Sequence, residues 1–438
     1  NTGGLVDLRI NAASADASTN VFAGATVFVD AVYGSDTTGA RGNEARPFLT
    51  FSNALANATN GDRVFLRPGT YTGNAMTNIN GTKPPGTALN NRTNMVIEGS
   101  GPGTVLKISQ IGCGLAIFNS SNLVFKNFKL KGTHNEVPEV GSFLFHMVGT
   151  NRWITFDGVS FEDASDHALG SDHTTEDSTD WVWARGCKFN RFGLSYPGHA
   201  LDADGAGIQV CGHNWFITDS QFTDGMSGIE FWNTDSTVST KNIWVVDNSF
   251  DAMRWFGIYG QSPAFGVHIL NNSFRNLSIP STEDGDVTNR SDTSAIIIKG
   301  GGEVTISGNL IEDIRGGAWL PYQHGVGINI YNPRNVRIVN NTIRGTKSDG
   351  IVLDGFSVNA HSNVVVQGNT VVSNGANGIR AYGGANLQIR DNLVMDNGQL
   401  NALGAGRAGI FLQTATNAVI AYNLITNSAG SATQTPDI

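Results

Sequence analysis

Residues Gly327–Ile343 read GINIYNPRNVRIVNNTI, and this stretch alternates apolar and polar residues in three short runs. The apolar positions of the runs are Ile328 and Ile330, then Val336 and Ile338, then Ile343. Asn, Pro and Gly separate the runs at intervals too short for helices. The stretch therefore predicts three short strands joined by turns, which together make one coil of a repeating structure.

The same phrase recurs along the chain with a constant offset between its Ile and its Asn. The offset is identical in four copies, Ile296/Asn309, Ile328/Asn341, Ile379/Asn392 and Ile410/Asn423. Adding the shortest return from an Asn to the next Ile, as from Asn341 to Ile351, gives a basic period of about 23 residues. A period of this length with strand patterns indicates a solenoid.

A coil of three strands without a helical pattern predicts a parallel β-helix of about 11 or more coils, in which each strand pairs with its counterpart one coil away. The Asn positions are then expected to form a hydrogen-bonded ladder at one corner. On these repeats the chain resembles the right-handed parallel β-helix superfamily of pectate lyases and related polysaccharide-active proteins, over roughly residues 26–428. The resemblance implies an all-β, single-stranded, right-handed parallel β-helix that binds an extracellular polysaccharide in a cleft.

Four segments are expected along the chain. Residues 1–25 form an extended arm, 26–93 an N-terminal capping module, 94–428 the β-helix and 429–438 a polar tail. In the module, Thr50 or Ser52 caps a short helix whose apolar stripe is Phe51, Ala54, Leu55 and Ala58. This helix is expected to plug the end of the solenoid, because an open first coil would expose apolar core and unpaired strand edges.

Composition excludes several classes of partner. The net charge is −9 and no Lys/Arg-rich run occurs, which argues against nucleic acid. No apolar run approaches the roughly 20 residues that span a bilayer. The chain begins at Asn1 rather than Met, which fits a processed protein that is secreted or on the cell surface, or a trimmed chain. Cys113, Cys187 and Cys211 are three in number, so they form no disulfide framework and are expected to be small packing residues.

One outward face is predicted by strand alternation. Residues one and three positions after each anchor Ile share a solvent face. Four coils place Trp or Tyr there, at a spacing of about 4.8 Å that suits the stacking of sugar rings. The predicted substrate-binding residues on this face are Trp232, Tyr331, Asp354, Arg380 and Tyr382. The alternative is that these aromatic residues pack beneath loops. Four insertions that leave from one corner are expected to wall the strip into a cleft.

Two chemistries fit the polar residues near this face. In β-elimination on a uronate, a base removes a proton while a cation neutralises the carboxylate, and Lys299 and Tyr259 on adjacent coils suit these roles, with Arg380 as a further candidate. In hydrolysis with inversion, two carboxylates act as acid and base, and Asp204 with Glu230 is the candidate pair.

The segment from Asp163 to Asp180 is the densest run of His and carboxylates in the chain. Three interpretations are open: a solvated turn, a calcium-binding loop, or a segment that contributes His173 as a catalytic acid or base. Asp202 and Asp204 are candidate calcium ligands, although no spacing typical of an EF-hand or zinc site occurs and the chain fits a cofactor-free protein equally.

The sequence thus predicts a secreted enzyme that cleaves an extracellular polysaccharide, with a lyase favoured over a glycoside hydrolase. The competing hypothesis is a non-catalytic structural, adhesive or filament-forming surface protein that self-associates through its face or its ends. A phage receptor-binding spike is a third possibility, which the polar tail disfavours because it shows no trimerisation segment.

Overall fold

The computed structural model describes residues 24–73, 89–108, 114–132, 143–171, 179–193, 205–232, 240–277, 293–315, 325–332, 334–355, 362–399 and 408–427. Within these residues the chain forms one α-helix, α1 (Phe51–Asn57), and three long parallel sheets that we call A, B and C. A typical coil contributes one strand to sheet C, the next to sheet A and the third to sheet B.

The 14 strands of sheet A are β1 (Thr26–Val29), β2 (Arg63–Leu66), β5 (Thr93–Gly99), β8 (Ser121–Lys126), β11 (Asn151–Asp157), β14 (Thr179–Arg185), β17 (His213–Thr218), β20 (Thr240–Val246), β23 (Ala264–Leu270), β26 (Gly301–Ser307), β29 (Arg334–Val339), β32 (Ser362–Gln367), β35 (Ala385–Arg390) and β38 (Val419–Ala421). The 13 strands of sheet B are β3 (Gly69–Gly73), β6 (Thr104–Ile108), β9 (Lys129–Lys131), β12 (Ser160–Ala164), β15 (Lys188–Phe192), β18 (Gln221–Gly225), β21 (Ser249–Asp251), β24 (Ser273–Leu277), β27 (Leu310–Ile314), β30 (Thr342–Arg344), β33 (Thr370–Val372), β36 (Leu393–Met395) and β39 (Leu424–Thr426). The 12 strands of sheet C are β4 (Leu89–Asn90), β7 (Leu115–Phe118), β10 (Phe143–Val148), β13 (His167–Ser171), β16 (Ala206–Val210), β19 (Ser227–Phe231), β22 (Phe256–Gly260), β25 (Ser294–Lys299), β28 (Val326–Tyr331), β31 (Ile351–Asp354), β34 (Ile379–Tyr382) and β37 (Ile410–Gln413).

The chain is a right-handed parallel β-helix, as its repeat predicted. Each strand pairs in parallel with its counterpart one coil away, and the anchor residues Ile296, Ile328, Ile351 and Ile379 are register partners. All four are fully buried. Isoleucines of successive coils therefore stack on one another along the axis. This is why a strict repeat in the sequence gives a continuous core.

The predicted asparagine ladder is confirmed at the corner between sheets A and B. It runs through Asn248, Asn272, Asn309, Asn341, Asn369, Asn392 and Asn423. Each side-chain Nδ2 donates to the Oδ1 of the next Asn at 2.9–3.0 Å. Each Nδ2 also donates to a backbone carbonyl of the core side, such as that of Ile269 for Asn309. The ladder satisfies buried polar groups that strands alone would leave unpaired.

A stack of phenylalanine rings lies in the core of the middle coils. Phe161, Phe189, Phe222, Phe250 and Phe274 follow one another at centroid distances of 4.6–4.8 Å with nearly parallel planes. The stack occupies space that a facing side chain would need. A Cβ at Gly228 would lie 2.5 Å from the Phe250 ring, so only glycine fits in this position beside the stack.

The helix α1 covers the N-terminal end of the solenoid and packs on β1, β2 and β3. The Thr50 hydroxyl accepts the backbone N–H of Asn53 at 3.3 Å, so Thr50 is the cap. The apolar stripe that the sequence predicted is buried, namely Phe51, Ala54, Leu55 and Ala58. At its other end, the Arg92 guanidinium donates to the carbonyls of Ala58 and Leu55. The capping module therefore contains the cap as well as the first strands of sheets A and B.

Two of the three cysteines are described, and both Cys187 and Cys211 are free and buried. Burial raises the pKa of the Cys187 thiol to about 12. Since the thiolate is the reactive form, we expect neither residue to react with a thiol reagent in the folded protein. The measurement is a thiol titration of the Cys113→Ser variant, with no modification expected before denaturant is added and two groups after. Rapid modification in the native state would contradict this prediction.

Candidate functional site

Seven polar side chains gather on the outer surface of sheet C. This sheet C cluster consists of His146, Asp166, His167, Gln209, Glu230, Tyr259 and Lys299. Six of the seven are buried although they face away from the core, and Glu230 is only 2% exposed. A concentration of buried titratable groups outside the apolar core is typical of a functional site.

Strand register explains how five coils contribute to the cluster. His146 is paired with Gly170, Gly170 with Gln209, Gln209 with Glu230, and Glu230 with Tyr259. These five residues each follow an anchor residue by one position, so they form one outward column with about 4.8 Å between neighbours.

A second outward column on sheet C consists of the residues that lie two positions before each anchor residue. The Phe143 ring in this column stacks on His146 at 4.1 Å and on His167 at 4.8 Å. The Phe256 ring, in the same column, stacks on Tyr259 at 4.4 Å. Simple alternation would predict the position just before the anchor to face outward instead. At Gly207, Gly228 and Gly257 that position faces the phenylalanine stack, since a Cβ there would lie 2.5–2.7 Å from the rings of Phe222, Phe250 and Phe274.

His167 lies between two carboxylates. Its Nδ1 is 2.9 Å from Asp166 Oδ1, and its Nε2 is 4.0 Å from Glu230 Oε2. Carboxylates on both sides of an imidazole stabilise the imidazolium that forms when Nε2 takes up a proton. The small side chain of Ala206, the residue paired across from this position on β16, leaves room for His167 to approach Glu230 two coils away.

Tyr259 and Lys299 form the second half of the cluster. The Lys299 ammonium is 3.5 Å from the Tyr259 hydroxyl and 5.1 Å from the centre of its ring. Trp255 and Phe256 pack against Tyr259, with ring centroids 5.5 and 4.4 Å from that of Tyr259. A cation in this position stabilises negative charge on the phenol oxygen or on a ligand carboxylate beside it.

Several buried polar atoms of the same surface have no hydrogen-bond partner among the described residues. These atoms include Oε1 of Gln209, which adjoins Glu230, and the Oγ atoms of Ser227 and Ser294, which lie in the column of Phe256. Buried polar atoms are normally paired, so atoms of this kind beside titratable groups suggest contacts that a ligand completes.

The structure places the predicted site residues in three groups. Glu230, Tyr259 and Lys299 meet in the sheet C cluster. The partly exposed residues Tyr331 and Asp354 continue the Lys299 column by register, while Trp232 and Tyr382 are partly exposed at the ends of β19 and β34. Arg380 lies on β34, while His173, Asp202 and Asp204 lie outside the described residues. Within the described ranges, no group of three or more His, Cys, Asp or Glu side chains could hold a metal ion.

Four members of the cluster were not among the predicted site residues, namely Gln209, His146, Asp166 and His167. The last two belong to the His/carboxylate run from Asp163 to Asp180, in which the sequence analysis singled out His173 instead. The signal that would have found His167 is its place two positions before the anchor Leu169.

Arg380 forms an ion pair with a buried carboxylate that the sequence did not single out. Its Nε is 3.0 Å from Asp349 Oδ2, and its guanidinium also lies over the Tyr382 ring at 5.1 Å. Asp349 is 1% exposed and accepts two hydrogen bonds from Asn377. Burial raises the pKa of Asp349 above its ordinary value, and the charge of Arg380 opposes that rise.

We expect Arg380→Met to destabilise the fold by about 2 kcal/mol at pH 7, because it leaves the Asp349 carboxylate buried without its cation. Because the pKa of Asp349 is raised in the folded state, its protonated form favours folding. The free energy of unfolding of the variant should therefore be kept below about pH 4 and should fall as the pH rises through the folded-state pKa. The measurement is urea unfolding of the variant between pH 3.5 and 7. Asp349→Asn in the same variant is the control and should remove the pH dependence. An equal loss at both ends of this pH range would contradict the prediction.

Comparisons with known proteins agree with the fold. Residues 266–434 match the family model described as a right handed beta helix region. No curated protein matches the chain in sequence. The described residues contain no helix long and apolar enough to cross a membrane.

Several solved structures share the architecture at low identity. The chain is similar to a GH136 lacto-N-biosidase from Eubacterium ramulus, with 12% identity, a TM-score of 0.51, and coverage of 92% of this chain and 68% of that one. It is similar to a GH87 alpha-1,3-glucanase from Streptomyces thermodiastaticus, with 16% identity, a TM-score of 0.53, and coverage of 95% and 72%. It is also similar to the Dettilon tailspike protein, with 14% identity, a TM-score of 0.53, and coverage of 92% and 68%. At these identities the likeness concerns the fold alone.

Proposed function

We propose that this chain, a member of the right-handed parallel β-helix superfamily, is an enzyme that cleaves a uronate-containing polysaccharide by β-elimination at the outer surface of sheet C. The observation that supports this most directly is that Glu230 lies between the imidazole of His167, 4.0 Å from it, and its register partner Tyr259, whose hydroxyl adjoins the Lys299 ammonium. We also propose that the enzyme acts outside the cell, because a polymeric substrate does not enter it.

Each step of β-elimination has a residue in the cluster. Lys299 neutralises the uronate carboxylate, which makes the C5 proton more acidic. His167 Nε2 takes that proton, and Asp166 and Glu230 on either side stabilise the resulting imidazolium. The electron pair of the broken C5–H bond forms the C4–C5 double bond, the bond from C4 to the glycosidic oxygen breaks, and the Tyr259 hydroxyl donates its proton to that oxygen.

Hydrolysis fits the same geometry less well. A glycoside hydrolase needs two carboxyl groups that face each other across the scissile bond. Asp166 and Glu230 are the carboxylates of the cluster, and the imidazole of His167 occupies the space between them. A sugar cannot lie between both carboxyl groups while His167 contacts them, so elimination is the better supported reaction.

The burial of the cluster favours a second candidate function. His146, His167 and Tyr259 are 8%, 8% and 6% exposed, which is low for groups that contact a polymer. If no substrate reaches them, the chain is a non-catalytic β-helix whose outer surfaces bind glycans or other copies of itself, and the cluster stabilises the stacking of coils.

The test is incubation with a panel of acidic and neutral polysaccharides, with and without calcium, followed by ultraviolet absorbance of unsaturated uronates and by assay of new reducing ends. We expect both signals from an acidic polysaccharide, and loss of both in Tyr259→Phe and Lys299→Ala. Lys241→Ala, an exposed lysine of sheet A, is the matched control and should retain activity. Reducing ends without absorbance would show hydrolysis, and no product from any glycan would support the non-catalytic function.

A further inference from the structure

Sheet A also has an outward column, distinct from the two columns of sheet C. All of its residues have left-handed backbone conformations. By register it comprises Asn94, Asn122, Trp153, Trp181, Asn214, Asn242, Gly266, Glu303, Asn335, Asn363, Asn386 and Asn417, and we call it the bulge column. Asparagine and glycine tolerate this conformation, which explains why they fill most of the column. Trp153, Trp181 and Glu303 are the exceptions, with φ of 57°, 59° and 58°.

Asparagines of the bulge column form an outer amide ladder. Asn122 Nδ2 donates to Asn94 Oδ1 at 2.8 Å, and Asn363 Nδ2 donates to Asn335 Oδ1 at 2.9 Å. Trp153 interrupts the ladder directly after Asn122. Consequently Asn122 Oδ1, which is buried, has no hydrogen-bond partner among the described residues. An asparagine at position 153 would supply that partner.

Tryptophan at these two positions therefore reduces the stability of the fold in two ways. A bulky residue in the left-handed region is strained, and an amide oxygen is left unpaired. Strain of this kind persists where it serves function rather than folding. The two side chains are also among the most exposed large apolar groups, with 48% of Trp153 and 37% of Trp181 accessible.

The two indoles have different surroundings. Trp181 stacks with Trp183 at 5.9 Å and with Phe216 at 6.0 Å, so a base of aromatic rings holds it in place. Trp153 has no aromatic ring partner in the part of the chain that the structure describes, and it is 48% exposed. It lies one coil before Trp181, on the strand that follows β10 of the sheet C cluster.

The exposed area indicates the size of the partner. Large aromatic side chains offer up to about 250 Å² each, so the two exposed fractions correspond to about 200 Å². A stable protein interface needs about 800 Å² on each partner. The exposed area of the two indoles is too small for a protein interface, but it matches the flat apolar face of a few sugar rings.

We propose that Trp153 and Trp181 form a sugar-binding surface on sheet A, separate from the sheet C cluster, which holds two or more rings of a polysaccharide strand lying across the coils. This binding surface does not depend on catalysis at sheet C. A chain that never cleaves a glycan would still bind one here.

The test is affinity electrophoresis of the full chain in native gels that contain polygalacturonate, xylan or dextran. We expect at least one of these polysaccharides to retard the protein, and we expect Trp153→Asn with Trp181→Asn to weaken the apparent affinity about tenfold. Phe265→Asn is the matched control, because Phe265 is an exposed aromatic residue of the same sheet with an ordinary backbone conformation. It should be retarded like the wild type.

Thermal unfolding separates a binding role from a structural one. We expect Trp153→Asn alone to raise the melting temperature by about 2 °C, since it relieves the strain and pairs Asn122 Oδ1. A lowered melting temperature would show that Trp153 serves folding and would overturn the proposal. So would equal retardation of the double variant and the wild type, or no retardation in any of the three polysaccharides. Self-association of the wild type that the double variant abolishes would also overturn it, in favour of a protein interface.

Discussion

Replacing His167 by alanine is expected to lower the rate of glycan cleavage by about 10²–10⁴-fold, because the general base is lost while the rest of the surface is kept. The neighbouring Ala206 and Gly170 show that small residues are accommodated on this surface, so the fold should tolerate the change. The measurement is the initial rate on the polysaccharide that the panel identifies, at a saturating concentration.

The matched control is His213→Ala, since His213 lies on β17 of sheet A, outside the cluster. Its rate should stay within about twofold of the wild type. Asp166→Asn should cause a smaller loss than His167→Ala, because the imidazole is still present but its orientation is weakened. A His167→Ala rate close to that of the wild type would show that His167 is not the base, and Tyr259 would then take both proton transfers.

The second large effect concerns stability. Asn309→Ala is expected to lower the free energy of unfolding by about 3–5 kcal/mol, because several buried groups lose their partner at once. The Asn309 Oδ1 accepts from the backbone N–H and the Nδ2 of Asn272, and its Nδ2 donates to Asn341 and to the Ile269 carbonyl. Each unpaired buried group costs about 1–3 kcal/mol.

The measurement is the shift in the urea and thermal unfolding midpoints. Asn363→Gly is the control, since Asn363 belongs to the exposed bulge column, and glycine keeps its left-handed conformation. We expect that control to lose less than about 1 kcal/mol. Similar losses in the two variants would mean that the inner ladder contributes no more than an exposed amide contact.

Much of the fold is readable from the sequence because each structural position repeats. The constant Ile-to-Asn offset predicted both the anchor column and the ladder corner, and both are present. The capping helix was predicted from Thr50 and its apolar stripe for an equally local reason. In such a solenoid, neighbours in space are counterparts in the repeat, so sequence period determines contact.

The site was only partly readable for a physical reason. Glu230, Tyr259 and Lys299 follow their anchors on one strand each, so alternation found them. His167 precedes its anchor by two positions, where simple alternation predicts an inward side chain, but its ring stacks on that of Phe143 in the outward column. Its contact with Glu230 joins strands two coils apart, and no regular spacing in the chain encodes the approach of two side chains across an intervening coil.

The inner asparagine ladder also bears on the chemical ageing of the protein. Hydrolysis of a side-chain amide converts Asn to Asp, which replaces a neutral donor by a carboxylate that only accepts. At Asn341, the amide donates to Asn369 and to the Ile306 carbonyl while its oxygen accepts from Asn309. Deamidation there would bury a negative charge and remove two hydrogen bonds together. Slow chemical damage to one of these amides would therefore unfold the coils around it, whereas the same reaction at the exposed Asn363 would leave the fold intact.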